Sequence, residues 1–375
     1  MKYKRIAVFL LIFLLAGCAR TGADSNEKKL ITVGFSQLGA ESDWRIANTA
    51  SMMQVFTQRN GYEMLYDNAM QRQENQFLAV RNFILQGVDI IVIAPASEMG
   101  WEEVLREAKQ ADIPVIIVDR EVDVADDSLY LTGVGSDFLA EGNRAVEWLE
   151  NEVSGRESTE SPIRILHLKG TDGATAQLMR TKAIEEAAQR HEDWEIAGQL
   201  SCDYTEAKAY EEVRDFLKSD RDIDVIYSEN DNMTFGAMRA LEEAGISYGT
   251  EGDVILISFD AVREALQYCM EGRINLCVEC NPLHGPRVDE LIRQYLKGEE
   301  IPLTVREFNL LYKLLSYPKK TFTRSQLMDE FWDMDSTSSL RTVDVYMTKL
   351  RDKFSGCDDF SIVTVHGLGY KAVLK

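Results

Sequence analysis

Short runs of aliphatic and β-branched residues alternate with longer segments of helical periodicity over most of the chain. The runs predict nine strands, at 31–36, 63–66, 90–94, 115–118, 164–168, 195–200, 225–227, 254–258 and 276–278. Apolar residues recur at helical spacing between them, at 44–59, 74–86, 100–110, 138–152, 174–190, 206–218 and 233–244. Strands that alternate with helices of this length indicate right-handed βαβ units and parallel sheets.

Polar side chains follow six of the predicted strands at their carboxyl ends, at 35–37, 94–96, 119–121, 170–173, 228–231 and 259–260. Ligands of open parallel sheets bind beyond these ends. Carboxylate, amide and guanidinium groups can form bidentate hydrogen bonds with vicinal hydroxyls, and a ring such as Trp44 can cover the C–H face of a sugar. Helix capping is the alternative, but it explains Ser36 or Thr171 one at a time rather than six ends together. The pattern therefore predicts a polyhydroxylated ligand.

Ordered segments across residues 30–301 resemble type I periplasmic solute-binding proteins of the ribose and galactofuranose class. The segments are VGFSQ at 33–37, SDWR at 42–45, QENQ at 73–76, QGVD at 86–89, AP at 94–95, GWE at 100–102, IPV at 113–115, VDR at 118–120 and NDNM at 230–233. The resemblance implies two Rossmann-like lobes, joined by three crossings, that close on a monosaccharide. The first lobe would be 30–134 plus 279–301, and the second 135–278.

The same resemblance implies which residues contact the sugar. The first lobe would contribute Ser36, Gln37, Trp44, Arg45, Asp119 and Arg120. The second lobe would contribute Arg180, Tyr204, Asn230 and Asp260, with Glu279 at the second return crossing. Two of these positions have alternative interpretations: Arg180 as a surface ion pair with Glu185 or Glu186, and Tyr204 as loop packing.

The pattern changes after residue 302. Segments 304–316, 323–331 and 340–354 predict three amphipathic helices, the first two with Thr caps followed three residues later by Glu307 and Gln326. A hairpin is predicted from 362–365 and 370–374, with a glycine turn at 367–369. Three helices followed by a hairpin are typical of a winged helix-turn-helix.

Four segments of this tail resemble response-regulator effector domains of the OmpR/PhoB type: LTVREF at 303–308, FTRSQL at 322–327, RTVDV at 341–345 and VHGLGY at 365–370. The resemblance implies a DNA-binding domain over 303–375, with a recognition helix at 340–354. The implied DNA contacts are Trp332, Arg341, Thr342, Val345, Lys349, Arg351 and Tyr370. Thr348 departs from the family, which often has a basic residue there. A helical dimerisation tail is the alternative.

Charge separates the two parts of the chain. The whole chain carries 41 Lys and Arg against 62 Asp and Glu, a net charge of −21. From Leu303 onward there are 11 basic and 9 acidic residues. The preceding 302 residues therefore contain 30 basic and 53 acidic residues. A strongly negative field repels phosphate backbones, so only the tail is expected to contact nucleic acid.

The first eighteen residues have the pattern of a secretory signal. Basic residues precede the apolar run at 6–16, which is too short for an ordinary transmembrane helix. The sequence LAGC at 15–18 resembles a bacterial lipobox, which implies cleavage before Cys18 and lipidation of its sulfur. Residues 19–29 are then a flexible tether. A buried N-terminal helix is the alternative.

The sequence offers little support for catalysis or a cofactor. The four His residues have no recognisable nucleophile partner, and no phosphate-binding loop is present. Cys277 and Cys280 form an isolated C-x-x-C, which is weak evidence for a metal site. We therefore expect no enzyme, no cofactor and no metal.

Two interpretations of the whole chain follow. The first is an extracytoplasmic, lipid-anchored monosaccharide-binding component of a sugar ABC transporter, with the permease as partner and a winged-helix tail acquired by gene deletion, fusion or assembly. The alternative is a cytoplasmic, sugar-responsive regulator that uses the tail to bind DNA. No predicted membrane span separates the two parts, so both must lie in one compartment.

Overall fold

The first lobe is built on a five-stranded parallel sheet of order β2-β1-β3-β4-β5. The computed structural model describes residues 30–154, 162–296, 303–332, 340–354 and 360–374, so the signal, Cys18 and the tether lie outside the described residues. The strands are β1 Ile31–Gln37, β2 Tyr62–Asn68, β3 Ile90–Ile93, β4 Val115–Asp119 and β5 Thr132–Gly135. The helices between them are α1 Asp43–Val55, α2 Gln73–Gln86 and α3 Glu102–Gln110, with 3-10 turns at Gln58–Asn60 and Asp127–Leu129.

The second lobe repeats this plan with a parallel sheet of order β10-β9-β8-β6-β7. Its strands are β6 Ile163–Lys169, β7 Trp194–Ser201, β8 Val225–Ser228, β9 Ile255–Asp260 and β10 Leu276–Glu279. Its helices are α4 Phe138–Val153, α5 Thr175–Arg190, α6 Glu206–Phe216, α7 Asp231–Ala244 and α8 Arg263–Met270. Each sheet is buried by helices on both faces, which is why strands such as β3 are apolar throughout.

The chain returns to the first lobe after β10, where α9 (Gly285–Leu296) packs on α1. Gly285 N donates to Ser51 Oγ at 3.0 Å. A Cβ on Gly285 would lie 2.4 Å from the Ser51 carbonyl oxygen, so this close approach of the two helices requires glycine.

The C-terminal domain contains three helices and a small antiparallel sheet of order β11-β13-β12. The elements are α10 Val305–Ser316, β11 Phe322–Thr323, α11 Arg324–Phe331, α12 Leu340–Lys353, β12 Phe360–Val365 and β13 Gly369–Leu374. Both predicted Thr caps form reciprocal capping boxes, Thr304 with Glu307 and Thr323 with Gln326. The predicted fold class, two α/β lobes followed by a winged helix-turn-helix, is confirmed.

Among the described residues, no helix combines the length and apolar character needed to cross a bilayer.

Candidate ligand site between the lobes

A small cavity lies between the carboxyl ends of the two sheets. The first lobe lines it with Glu41, Ser42, Trp44, Arg45, Asp119 and Arg120. The second lobe and the return crossing line it with Phe138, Ala176, Arg180, Tyr204, Asn230, Asp260 and Cys280. Both lobes therefore contribute side chains to a single cavity.

The lobes contact each other around the cavity. The indole Nε1 of Trp44 donates to the Cys280 carbonyl oxygen at 2.7 Å. At the rim, Asp43 N donates to Asn232 Oδ1 at 3.0 Å, and Glu98 N donates to the Gly173 carbonyl oxygen at 3.0 Å. The structure is therefore in a closed arrangement, with the cavity walls drawn from both lobes.

Arg45 and Asp119 form an ion pair in the wall of the first lobe. Arg45 Nη2 donates to Asp119 Oδ2 at 2.6 Å, and Arg45 Nε donates to Glu41 Oε1 at 3.1 Å. Burial raises the pKa of Asp119, but the charges of Arg45 and Arg120 outweigh this effect and hold its pKa below the ordinary value. Asp119 is therefore a permanent carboxylate at neutral pH, fixed at the end of β4.

Arg120 connects the two walls. Its Nη1 donates to the Ala96 carbonyl oxygen at 2.8 Å, and its guanidinium lies 5.3 Å from the ring centroid of Tyr204 in the second lobe. This distance is within the range of a cation–π contact. Arg120 thus supports the closed arrangement as well as lining the cavity.

Arg180 is the main cation of the second lobe. It is 2 % exposed, and its Nη2 donates to Glu141 Oε2 at 2.7 Å and to Asp260 Oδ1 at 3.5 Å. Its Nη1 donates to the Glu229 carbonyl oxygen at 2.5 Å. These buried contacts exclude the alternative of a surface ion pair.

Asp260 and Asp231 are two buried carboxyl groups close to Arg180. Burial raises the pKa of Asp260 well above its ordinary value even though Arg180 lowers it, and burial raises the pKa of Asp231 to about 7. Each group adds to the cost of ionising the other, so the pair holds a proton near neutral pH.

We expect Asp260→Asn to weaken the pH dependence of stability on the alkaline side. Because folding raises this pKa, the group's stabilising effect is complete below its unfolded value near ~4 and is lost as the pH rises through the folded value. Asparagine does not ionise, and it tolerates the positive φ of 98° at this position. Thermal unfolding of the wild type and the variant at pH 5.5 and 8.5 should show that Tm falls less between these two pH values in Asp260→Asn. An equal fall in Tm would contradict the raised pKa of Asp260.

Four polar atoms of the cavity residues are buried without a hydrogen-bond partner among the described residues. They are Glu41 Oε2, Arg45 Nη1, Arg120 Nε and Tyr204 Oη. Native proteins leave few such atoms unsatisfied, since each costs ~1–3 kcal/mol. Their grouping in one cavity indicates a site for a ligand with several hydrogen-bonding groups.

The structure places three predicted sugar contacts outside the cavity lining. Gln37 is buried, and its amide donates to Asn48 Oδ1 and Thr49 Oγ1, both at 3.0 Å, so it positions α1. Ser36 is enclosed in β1. Glu279 is exposed, because the alternation of β10 turns Val278 inward and Glu279 outward, and Cys280 lines the cavity instead.

Sequence reasoning missed Glu41, which supplies an acidic group to the cavity. A signal was available: Glu41 lies in the loop that follows β1 and precedes Arg45 by four residues, the spacing of a helical ion pair.

Helix α12, which is predicted to be the recognition helix, exposes part of the predicted DNA-binding set. Arg341, Val345 and Lys349 are exposed at four-residue spacing, and Thr342 is half-buried. Trp332 is buried against Tyr346, and Tyr370 is buried and donates to Asp344 at 2.5 Å, so both stabilise the domain, which corrects the prediction for these two residues. Arg351 is half-buried and donates to the Ile362 carbonyl oxygen at 2.9 Å, and its contact with DNA stays a prediction. A core this small needs the volume of its aromatic residues.

Comparison with known proteins identifies both parts of the chain. Residues 33–299 match the family model of the periplasmic binding protein domain. The chain belongs to the periplasmic binding protein family. Residues 298–372 of this binding protein match the C-terminal domain of transcriptional regulatory proteins, so an OmpR/PhoB-type domain is fused to it. A three-stranded sheet in this domain argues against a purely helical dimerisation tail.

Relatives of the binding protein are named for sugars rather than for catalysis. The galactofuranose-binding protein YtfQ of Escherichia coli strain K12 is 39 % identical over 276 residues, which is 72 % of this chain and 84 % of that protein. A structure from Mycobacterium smegmatis in complex with β-D-fucofuranose is 38 % identical, with a TM-score of 0.69, and covers 73 % of this chain and 88 % of that one. The periplasmic binding protein component of the arabinose ABC transporter of Shewanella sp. ANA-3, bound to α- and β-L-arabinofuranose, is 39 % identical with a TM-score of 0.68. The match covers 73 % of this chain and 89 % of that one.

Proposed function

We propose that this binding protein captures a monosaccharide in its five-membered, furanose ring form and presents it to the permease of an ABC transporter. Three relatives at 38–39 % identity are named for, or solved with, a furanose. The two-lobed fold, with polar side chains of both lobes around one cavity, supports a small ligand held between the lobes.

The four unpartnered polar atoms carry the proposal. Glu41 Oε2 accepts a hydrogen bond, Arg45 Nη1 and Arg120 Nε donate, and Tyr204 Oη can do either. Vicinal sugar hydroxyls both donate and accept, so one ring can satisfy several of these atoms at once. The apolar surfaces of Trp44 and Phe138 in the same cavity suit the C–H face of such a ring.

Titration calorimetry of the full chain tests the ligand. We expect heat from L-arabinose, D-galactose and D-fucose, each with an apparent affinity reduced by the small furanose fraction present in water. D-Glucose, which has almost no furanose form in water, is the matched control and should give none. Absence of heat from every sugar would contradict the binding function. Binding of D-glucose as tight as that of the other sugars would contradict selection of the furanose form.

We further propose that the protein is exported and anchored by lipid on Cys18, on the basis of the signal pattern at 1–18 and the LAGC sequence. We expect the chain in the membrane fraction with a mature N-terminus at an acylated Cys18, and Cys18→Ala should release it. Mass spectrometry of the N-terminus after fractionation checks this.

A cytoplasmic, sugar-responsive regulator remains the second candidate, favoured by the exposed Arg341 and Lys349 on a helix of a DNA-binding domain family. The charge of the remaining chain, 30 basic against 53 acidic residues, opposes association with DNA. An intact N-terminus on a chain in the cytosol would favour this candidate over the exported lipoprotein.

A further inference from the structure

The first lobe has a sheet edge at β5. This strand is the last in the order β2-β1-β3-β4-β5, and among the described strands it pairs with β4 alone. Side chains of a strand project from the two faces of the sheet, so an element that packs on β5 covers one of these faces. The C-terminal domain supplies such an element.

The first helix of the winged-helix domain begins against β5. A Cβ built on Gly133 would lie 2.5 Å from Val305 Cγ2, the one close contact that it would make with the residues the structure describes. The next atom of another residue, the Ile117 carbonyl oxygen, is 3.9 Å away. Val305 therefore fits over β5 because the residue beneath it is glycine.

A second contact anchors the recognition helix to the same region. Tyr346 Oη of α12 donates to Asp127 Oδ2 at 3.1 Å, in the 3-10 turn that precedes β5. The Tyr346 ring is buried and packs edge-on against Trp332 at 5.3 Å between ring centroids. The domain thus contacts the lobe through two separate helices, α10 and α12.

We propose that the winged-helix domain has a structural function in this chain, as a cap on one face of the terminal strand β5 of the first lobe. Val305 covers the strand, and the bond between Tyr346 and Asp127 holds the domain in that position. Neither contact involves DNA, so this structural function is possible whether the protein is exported or stays in the cytoplasm. Neither contact involves the ligand cavity, so the function does not rest on the identity of the sugar.

Hydrogen exchange on the full-length protein tests the cap. Alanine is at least as favourable as glycine inside a strand, so Gly133→Ala should harm β5 only through its collision with Val305. We expect the amides of residues 131–135 to exchange about tenfold faster in Gly133→Ala, as overpacking of a fitted contact implies. The double variant Gly133→Ala/Val305→Ala removes the colliding methyl group and should restore slow exchange.

Tyr346→Phe is the milder second variant, because it keeps the ring on Trp332 and removes only the hydroxyl that contacts Asp127 and Arg306. We expect faster exchange over residues 127–131 in this variant. Unchanged exchange in both single variants, or a double variant that is not restored, would overturn the cap. Calorimetry with sugar on the same preparations separates the two proposals. If the wild-type protein binds no sugar, the proposed function is contradicted, whereas the cap is judged only by hydrogen exchange.

Discussion

Asp119→Asn is expected to lower the affinity for the bound sugar by ~10–100-fold. The substitution removes the carboxylate that Arg45 contacts at 2.6 Å and that is proposed to accept hydrogen bonds from sugar hydroxyls. A hydrogen bond to a charged group is worth ~1.5–3 kcal/mol, which is one to two orders of magnitude in a dissociation constant. Asparagine tolerates the positive φ of 69° at this position, so the end of β4 keeps its path.

Titration calorimetry with the best sugar of the panel measures this effect. Asp193→Asn is the matched control, because it removes an exposed carboxylate from the turn before β7. We expect the control to bind as the wild type does. An affinity of Asp119→Asn within fivefold of the wild type would show that Asp119 and Arg45 do not form the sugar site.

Arg180→Met is expected to lower the free energy of unfolding by ~3–5 kcal/mol and to abolish sugar binding. Methionine fills much of the same volume but leaves the carboxylate of Glu141, 2.7 Å from Arg180 Nη2, buried without its cation. Urea unfolding gives the change in stability, and calorimetry gives the change in binding.

The double variant Arg180→Met/Glu141→Gln separates these two effects. A neutral amide beside methionine avoids the uncompensated charge, so most of the stability should return while sugar binding does not. Recovery of binding together with stability would mean that Arg180 serves only the fold of the second lobe.

The fold was predictable where hydrophobic periodicity is strong. Buried parallel strands such as β3 consist only of aliphatic residues, and the two C-terminal capping boxes have a clear local signature. The pattern missed β5, whose sequence TGVG contains two glycines, a residue depleted in strands. It also missed α8, in which Ala265 is the one buried residue, so the helix has almost no apolar face.

The candidate site was predictable at the ends of strands, because parallel topology brings those ends together. Eight of the eleven predicted sugar contacts line one cavity. The errors arise where tertiary contacts decide the outcome: the amide of Gln37 is occupied by α1, and a register difference of one residue puts Cys280 rather than Glu279 in the wall. Glu41 was missed because its role depends on how the loop before α1 folds over the cavity.

The C-terminal domain illustrates a different limit. Tyr370 belongs to a segment that resembles a DNA-binding family, and the resemblance implied Trp332 as a further DNA contact, yet both are buried. Aromatic residues serve equally in cores and at interfaces, and sequence alone does not separate the two roles. Arg341 and Lys349 are exposed, so their contact with DNA stays a prediction.

A crystal structure of the full chain grown with saturating L-arabinose or D-galactose tests the sugar site most directly. We expect one furanose ring between Trp44 and Phe138, with hydroxyl groups within hydrogen-bond distance of Glu41 Oε2, Arg45 Nη1 and Arg120 Nε. An empty cleft at saturating sugar, or a sugar bound away from these atoms, would contradict the proposed function.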